Sequence, residues 1–151
     1  AAWPLRRWPI MDDLGRRCGV GRLDVPGSGL VLVAKTYEAY FDLEVQLRAG
    51  LLEREYFALC RGWVPPARRV VDERVACFTI APGAPIQVVA SQGRGDRPCS
   101  THLQLLVHLS LAGIALSLLA LHLTRLAHSH QLRTHVAHIG HPVACDGKYT
   151  A

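Results

Sequence analysis

The sequence lacks paired cysteines and is poor in lysine. Its five cysteines are an odd number and include no Cys-x-x-Cys pair, which argues against a disulfide framework and against a cysteine-based zinc site. Only Lys35 and Lys148 are lysines among 17 basic residues. The positive charge is therefore carried mainly by arginine, which suits bidentate contacts with phosphate and carboxylate. With 12 acidic residues the net charge is +5, a balance compatible with a nucleic-acid partner.

The first residues also lack a continuous apolar segment. Residues 1–10 carry arginine and proline throughout, so they do not form a secretory signal. Asp12 and Asp13 follow soon after and leave only weak support for an organelle transit peptide. Together with the cysteine usage, this predicts an intracellular protein, either cytoplasmic or organellar, with mitochondrion and plastid both open. The length of 151 residues suits one compact domain.

Apolar periodicity predicts alternating short strands and two helices. Residues 30–34 form a β-branched apolar run typical of a buried strand, and 19–29 are Gly-rich and predict a loop. Thr36 and Gly50 are suited to cap a helix between them. Strands are expected at 55–61 and 86–90, a loop at 65–69, and a flexible connection at 91–100. A second helix is expected within 128–140, ended by Gly140 and Pro142.

Residues 103–123 form an apolar stretch long enough to span a bilayer. A transmembrane helix is one interpretation. The other is two buried strands joined by a turn at Ala112 and Gly113. We favour the strands, because the segments on either side match a soluble enzyme family in the right order.

Three separated motifs carry that resemblance. GRLDVPGSG at residues 21–29, followed by LVLVAKT, resembles HRLDxxTSGLLLLAKT of the RluA-type RNA pseudouridine synthases. EREYFALCRG at 53–62 is similar to the strand K-x-Y-x-A-x-V-x-G of that family. SHQLRTHVAHIGHP at 129–142, continuing to Asp146 and Tyr149, is similar to GRTHQIRxHLAHIGHPIxGDxxY. The resemblance covers residues 19–151, and residues 1–18 are expected to be an irregular N-terminal segment.

The resemblance implies an α+β fold with a bent, mostly antiparallel mixed β-sheet and a few flanking helices. It also implies that this catalytic domain is partial. Relatives usually carry a longer segment before the RLD motif, with a strand bearing Lys-Pro-x-Gly, whereas 23 residues precede Asp24 here and this signature is absent. We therefore expect that some strands of the central sheet lie outside this chain.

The resemblance also implies the reaction and its residues. Uridine would be flipped out of the RNA and isomerised to pseudouridine, with Asp24 as the catalytic carboxylate, Tyr56 against the base, and Arg133 paired with Asp24. From the residues alone, a turn is the more usual place for Asp24 and a strand core for Tyr56, whereas Arg133 suits either a solvated helix face or a partly buried position.

RNA contacts are expected from a further set of residues on the same motifs, namely Arg22, Leu23, Arg54, His130, Gln131 and Leu132. The partner would be structured ribosomal or transfer RNA, with no membrane partner. No cofactor is implied, because the isomerisation involves no redox change. The oligomeric state is open, with a monomer as the default expectation.

Several positions depart from the family motifs. The family His before RLD is Gly21, the TSG step is GSG with Pro26 before it, and the Gly-Arg pair of the third motif is Ala127-His128. The last change removes a potential phosphate ligand. These departures keep a second function open, in which the chain binds RNA without turning it over.

Histidines crowd residues 128–141 at spacings that could ligate a metal. His135 and His138 lie three residues apart, as do His138 and His141. Neither an HExxH motif nor a cysteine partner accompanies them. We therefore predict no metal site, and structural or RNA-facing histidines instead.

Overall fold

The computed structural model describes residues 19–20, 23–24, 27–79, 81, 87–93, 96, 98–123 and 128–150, with only the backbone of 19–20. The predicted irregular segment 1–18 lies outside these residues. The chain divides into two compact units, Ala1–Leu52 and Glu53–Ala151.

The first unit contains a short strand pair and a helix. Strands β1 (Gly19–Val20) and β2 (Leu32–Val33) pair antiparallel. Helix α1 (Tyr37–Ala49) begins after Thr36, whose hydroxyl accepts a hydrogen bond from the Ala39 amide at 3.2 Å. It ends at Gly50, which has a left-handed φ of 73°. Both predicted caps of this helix are confirmed.

The buried strand predicted at residues 30–34 is only partly right. Two of its residues form β2, and the side chains from Leu30 to Val33 are exposed, whereas Ala34 is buried. Within the described residues β2 pairs only with β1, and this pairing extends over just two residues of the apolar run, Leu32 and Val33. The loop predicted at 19–29 likewise begins with β1.

The second unit is built on a four-stranded antiparallel sheet. Its strands are β3 (Arg54–Arg61), β4 (Val70–Asp72), β7 (Ser100–Leu111) and β8 (Ile114–Leu123), in the order β3-β8-β7-β4. Strands β5 (Arg74–Phe78) and β6 (Gln87–Ser91) form a separate antiparallel pair. Helix α2 spans Gln131–His138. The predicted α+β class with antiparallel pairing is confirmed.

The apolar stretch 103–123 forms the β7–β8 hairpin. Ala112 and Gly113 make the turn, with φ values of 49° and 78°, the positive pair that a two-residue type I′ turn requires. The strands are in register from Leu111↔Ile114 to His102↔His122, with an irregularity between Leu105 and Val107. The strand interpretation is therefore correct, but the predicted burial holds mainly for β8, because the apolar side chains of β7 near the turn, such as Leu109 and Leu111, are exposed. None of the helices among the described residues is long and apolar enough to cross a membrane.

The core of the second unit lies between this sheet and α2. Alternate residues of β3 point inward, and Tyr56 and Cys60 lie opposite Leu121 and Ser117 of β8. The buried cluster consists of Cys60, Val64, Val71, Leu103, Leu119, Leu121 and Val136. Because α2 inserts Val136 into this cluster, the helix is fixed against the sheet that carries Tyr56.

Helix α2 begins three residues later than the start of the predicted segment. His130, which precedes it, has a left-handed backbone with φ of 58°, a conformation uncommon for residues other than glycine. This reverses the chain direction just before the helix. The predicted end is confirmed, since α2 ends at His138 and Gly140 has φ of 84°.

Candidate active site

Asp24 lies in a tight turn of the first unit. Its carbonyl oxygen accepts a hydrogen bond from the Gly27 amide at 2.6 Å. A Cβ added at Gly27 would lie 2.8 Å from that oxygen, closer than real Cβ atoms approach, so this turn needs glycine where the family motif has threonine. The turn leaves the Asp24 side chain half-buried.

Two further candidate residues belong to the first motif, and the structure describes only one of them. Leu23 is half-buried, and its Cδ1 atom would lie 3.8 Å from a Cβ at Gly29. Arg22 lies outside the described residues. The roles of Arg22 and Leu23 in RNA binding stay predictions.

Tyr56 and Arg54 lie on β3 of the second unit, two residues apart and therefore on one face of the strand. Both are half-buried, and Tyr56 packs against the buried core cluster. This packing restricts the motion of the ring. This is what stacking against a flipped base requires, while the alternative role as a core residue fits the same packing.

Arg133 makes a bidentate ion pair with Asp146. Its Nε donates to Oδ2 at 2.6 Å and its Nη2 to Oδ1 at 2.7 Å. Both side chains are largely buried, with exposed fractions of 13% and 5%. The hydrogen bonds from Arg133 hold the pKa of Asp146 below its ordinary value against the opposing effect of burial, and the amide of Lys148 adds a further bond at 3.1 Å.

Two aromatic side chains surround the Arg133 guanidinium. The ring of Tyr149 lies 5.0 Å from its Cζ atom, in cation–π range. Its Nη1 lies 3.4 and 3.5 Å from the two ring nitrogens of His130. His130 and Tyr149 are joined by a contact of 2.9 Å between Nδ1 and the phenol oxygen. The guanidinium is thus held along one edge and against one face.

Gln131 and Leu132 have structural partners in the second unit. The Gln131 side chain is buried, and its Nε2 donates to the Ser100 carbonyl at 3.0 Å and to the Thr101 hydroxyl at 3.2 Å. Leu132 packs against the same core cluster as Tyr56. These contacts join the start of α2 to β7, and a contact of either residue with RNA stays a prediction.

A buried histidine network lies deeper in α2. His135 is fully buried, with Nε2 3.1 Å from the Glu73 carbonyl and Nδ1 2.9 Å from the Thr101 hydroxyl. Because a carbonyl only accepts, Nε2 carries the proton and Nδ1 accepts from Thr101. Burial lowers the pKa of His135 from its ordinary value of 6.5. Across the part of the chain that the structure describes, no group of three His, Cys, Asp or Glu residues could hold a metal ion.

The geometry adds two residues to the candidate site that sequence reasoning had not assigned to it. Asp146 and Tyr149 contact Arg133 directly, and both stand in the third motif as its closing Asp and Tyr. The motif was therefore the available signal. What it could not give is the partner, because a 13-residue separation along the chain does not reveal an ion pair.

Known proteins resemble the chain over most of its length. The sequence model of the family described as RNA pseudouridylate synthase matches residues 16–138. Ribosomal large subunit pseudouridine synthase D of Nitrosomonas europaea is 34% identical over 146 residues, which cover 96% of this chain and 39% of the relative. The dual-specificity RNA pseudouridine synthase RluA of Escherichia coli is 29% identical over 144 residues, covering 94% and 61%. The chain thus spans only part of the length of these relatives.

Solved structures share the fold. Human RNA Pseudouridylate Synthase Domain Containing 1 superposes with a TM-score of 0.77 at 24% identity, covering 96% of this chain and 62% of that one. Human RNA Pseudouridylate Synthase Domain Containing 4 superposes with a TM-score of 0.68 at 21% identity, covering 93% of this chain and 59% of that one. The shared fold agrees with the sequence matches. These matches show that the chain belongs to the RNA pseudouridylate synthase family, in its RluA-type branch.

Proposed function

We propose that the protein is an RNA pseudouridine synthase that isomerises uridine to pseudouridine in structured RNA, ribosomal or transfer. The observation that carries the proposal is the family match over residues 16–138, which contains the RLD motif, the Tyr56 strand and Arg133. Relatives over most of the chain are named ribosomal large subunit pseudouridine synthases. An intracellular location, cytoplasmic or organellar, is part of the proposal, because such RNA is the substrate.

The reaction breaks the bond between the ribose C1′ and uracil N1, and forms a bond between C1′ and C5. The proton on C5 is released to water and N1 takes up a proton, so the composition is unchanged and no electrons are gained or lost overall. The reaction therefore requires a carboxylate, an aromatic side chain against which the flipped base can stack, and a cation that orients the carboxylate. It requires no redox cofactor. Asp24, Tyr56 and Arg133 are proposed for these three roles.

The described geometry supports one of these assignments most strongly. Arg133 is largely buried and held by two hydrogen bonds, whereas a solvated helix arginine would be exposed. A guanidinium with a fixed plane can hold an acceptor bidentately on its remaining edge. A guanidinium held in this way is suited to orient a catalytic carboxylate.

RNA contacts are proposed for Arg22, Leu23, Arg54, His130, Gln131 and Leu132 as the family motifs assign them. Among these, His130 lies beside the Arg133 guanidinium and is the candidate nearest to the proposed chemistry. A monomer is the proposed state in solution.

The experiment uses RNA tritiated at uridine C5. Incubation with the purified chain should release tritium to water, because the C5 proton is lost when C5 bonds to the ribose. RNA binding is measured in parallel over a range of salt concentrations, since phosphate contacts weaken as salt rises. Salt-sensitive binding without tritium release would instead support the RNA-binding alternative, which the synthase names of the relatives do not favour.

A further inference from the structure

Asp146 is a buried acid in a basic chain, and its carboxylate receives three donors. Arg133 supplies two of them and the backbone amide of Lys148 the third. A carboxylate that accepts several hydrogen bonds stays ionised, and the pKa of Asp146 is lowered mainly by the bonds from Arg133. A full negative charge therefore faces the side of the guanidinium that carries Nε.

The backbone around Asp146 directs this charge. Cys145 has a left-handed φ of 61°, so the chain turns sharply just before Asp146. After it, the Asp146 carbonyl accepts from the amides of Tyr149 and Thr150 at 3.1 and 2.9 Å. The same turn places the Tyr149 ring against the Arg133 guanidinium at 5.0 Å.

The ion pair selects which edge of Arg133 is presented. A guanidinium carries five N–H groups in one plane, and Asp146 takes the Nε edge with two of them. The end-on edge, formed by Nη1 and the second hydrogen of Nη2, faces away from Asp146, and Nη1 lies beside His130. Loss of the Asp146 carboxylate would remove two of the hydrogen bonds that hold the guanidinium plane.

We propose that Asp146 is a positioning residue of the synthase, which holds the Arg133 guanidinium so that its end-on edge can orient the catalytic carboxylate. The inference rests on the proposed function and deepens it. Asp146 does not touch the substrate and acts only through Arg133. Tyr149 supports the same plane from one face.

The first test is a double-mutant cycle with Asp146→Asn and Arg133→Lys. Asparagine keeps the size of the side chain and an oxygen for the Lys148 amide, but it removes the charge and places an N–H₂ group against the guanidinium. The expected result is a fall in kcat of about 10- to 100-fold with a nearly unchanged KM for RNA, since misorientation at a reacting centre costs rate rather than binding. In the Arg133→Lys background, Asp146→Asn should cause almost no further loss.

Asp72→Asn is the matched control, because Asp72 is exposed on β4 of the same unit. It should leave kcat unchanged. Thermal unfolding of every variant establishes that the folded protein is being compared. An additive loss in the double variant, or an unchanged kcat in folded Asp146→Asn, would overturn the proposal.

A second measurement leaves Asp146 unchanged and follows hydrogen exchange at the Arg133 side chain. In ¹⁵N-labelled protein the Arg133 Nε–H signal, assigned by its absence in Arg133→Lys, should exchange slowly with water compared with that of Arg48, whose side chain is 70% exposed. Fast exchange at Arg133 would overturn the positioning role even if Asp146→Asn fails to fold. A protected Arg133 in a wild type that releases no tritium would refute the proposed function, and with it the positioning role, while leaving the ion pair intact.

Discussion

The Thr101 hydroxyl donates a hydrogen bond to Nδ1 of His135, over 2.9 Å. It joins the beginning of β7 to the buried face of α2, and on its other side Thr101 accepts from Gln131. The His135 Nε2 donates to the Glu73 carbonyl, so three segments of the second unit meet at one neutral imidazole. Their alignment depends on His135 staying unprotonated.

Acid is therefore expected to destabilise the second unit in a defined range. Burial lowers the pKa of His135 in the folded state below its ordinary value of 6.5, so the unfolded chain binds the proton more tightly. The contribution of His135 is fully present above pH 6.5 and is lost as the pH falls below it. Urea unfolding at pH 7.5 and pH 5.5 should show a lower free energy of unfolding at the acid pH.

The variants for this comparison are His135→Gln and, as control, His102→Gln, which changes an exposed histidine on β7. The difference between the two pH values should shrink in His135→Gln and stay at its wild-type size in His102→Gln. The contacts of His122 with Glu55 and of His138 with Glu73 involve neither of the substituted residues. An undiminished difference in His135→Gln would show that His135 does not carry the acid sensitivity.

Replacing Cys145 by glycine should stabilise the protein. Cys145 has a left-handed φ of 61°, and the family motif has glycine at this place. Relief of a left-handed residue is worth about 1–2 kcal/mol, part of which the greater freedom of glycine in the unfolded chain offsets. The net gain expected in chemical denaturation is about 0.5–1 kcal/mol.

Cys145→Ala is the control for that substitution, because alanine removes the thiol but keeps a Cβ. It should give no comparable gain. Equal stabilisation by alanine and glycine would mean that the thiol, rather than the backbone conformation, is the source of the effect.

Gly62 should tolerate alanine worse than Gly140 does. Both have positive φ, 78° and 84°, but a Cβ at Gly62 would lie 3.0 Å from Nδ1 of His141, whereas one at Gly140 meets nothing within 4 Å. His141 cannot move freely, since its Nδ1 contacts the Arg61 carbonyl at 2.9 Å. We expect Gly140→Ala to cost about 0.5–1 kcal/mol of unfolding free energy and Gly62→Ala at least about 1 kcal/mol more.

Equilibrium denaturation of the two glycine variants under one set of conditions makes this comparison. Equal losses would show that His141 yields to the added methyl group at little cost, contrary to the geometry at Gly62.

Ser117→Ala should destabilise the hairpin at its centre. The buried hydroxyl accepts from the Val64 amide at 2.9 Å and donates to the Gly62 carbonyl at 2.8 Å, and so ties the end of β3 and the following loop to β8. Its removal leaves the buried Val64 amide and the part-buried Gly62 carbonyl short of a partner, at a cost of about 1–3 kcal/mol. Thermal and urea unfolding should both show the loss. Ser110→Ala, at an exposed position of β7, should change neither, and a loss in Ser117→Ala no larger than in Ser110→Ala would refute the role of the buried hydroxyl.

The sequence predicted those features that depend on nearby residues. Thr36 and Gly50 bound α1, and Ala112 and Gly113 divide the hairpin, because capping and turn geometry act over a few residues. Exposure of the run Leu30–Val33 was not predictable, since burial depends on which distant residues pack against the face of the strand. The strand Arg74–Phe78 was not assigned, because its pairing with β6 is a tertiary contact.

The candidate site shows the same division. Motif matching supplied Arg133, His130 and Tyr56, but it did not show that Asp146 holds Arg133 or that Gln131, the first residue of α2, is buried against β7. Those contacts depend on chain reversals at His130 and Cys145, where the backbone is left-handed. Neither residue type indicates such a conformation in the sequence. The pairing of Arg133 with Asp24 stays a prediction.

The central claim is tested most directly by measuring pseudouridine itself. RNA incubated with the wild type, with Asp24→Asn and with Asp42→Asn would be digested to nucleosides and separated by chromatography, since pseudouridine and uridine have equal mass. Asp42 is the matched control, an exposed aspartate on α1 in the same unit as Asp24. The account predicts pseudouridine from the wild type and Asp42→Asn and none from Asp24→Asn; pseudouridine formed equally by folded Asp24→Asn, or by none of the three folded proteins, would contradict it.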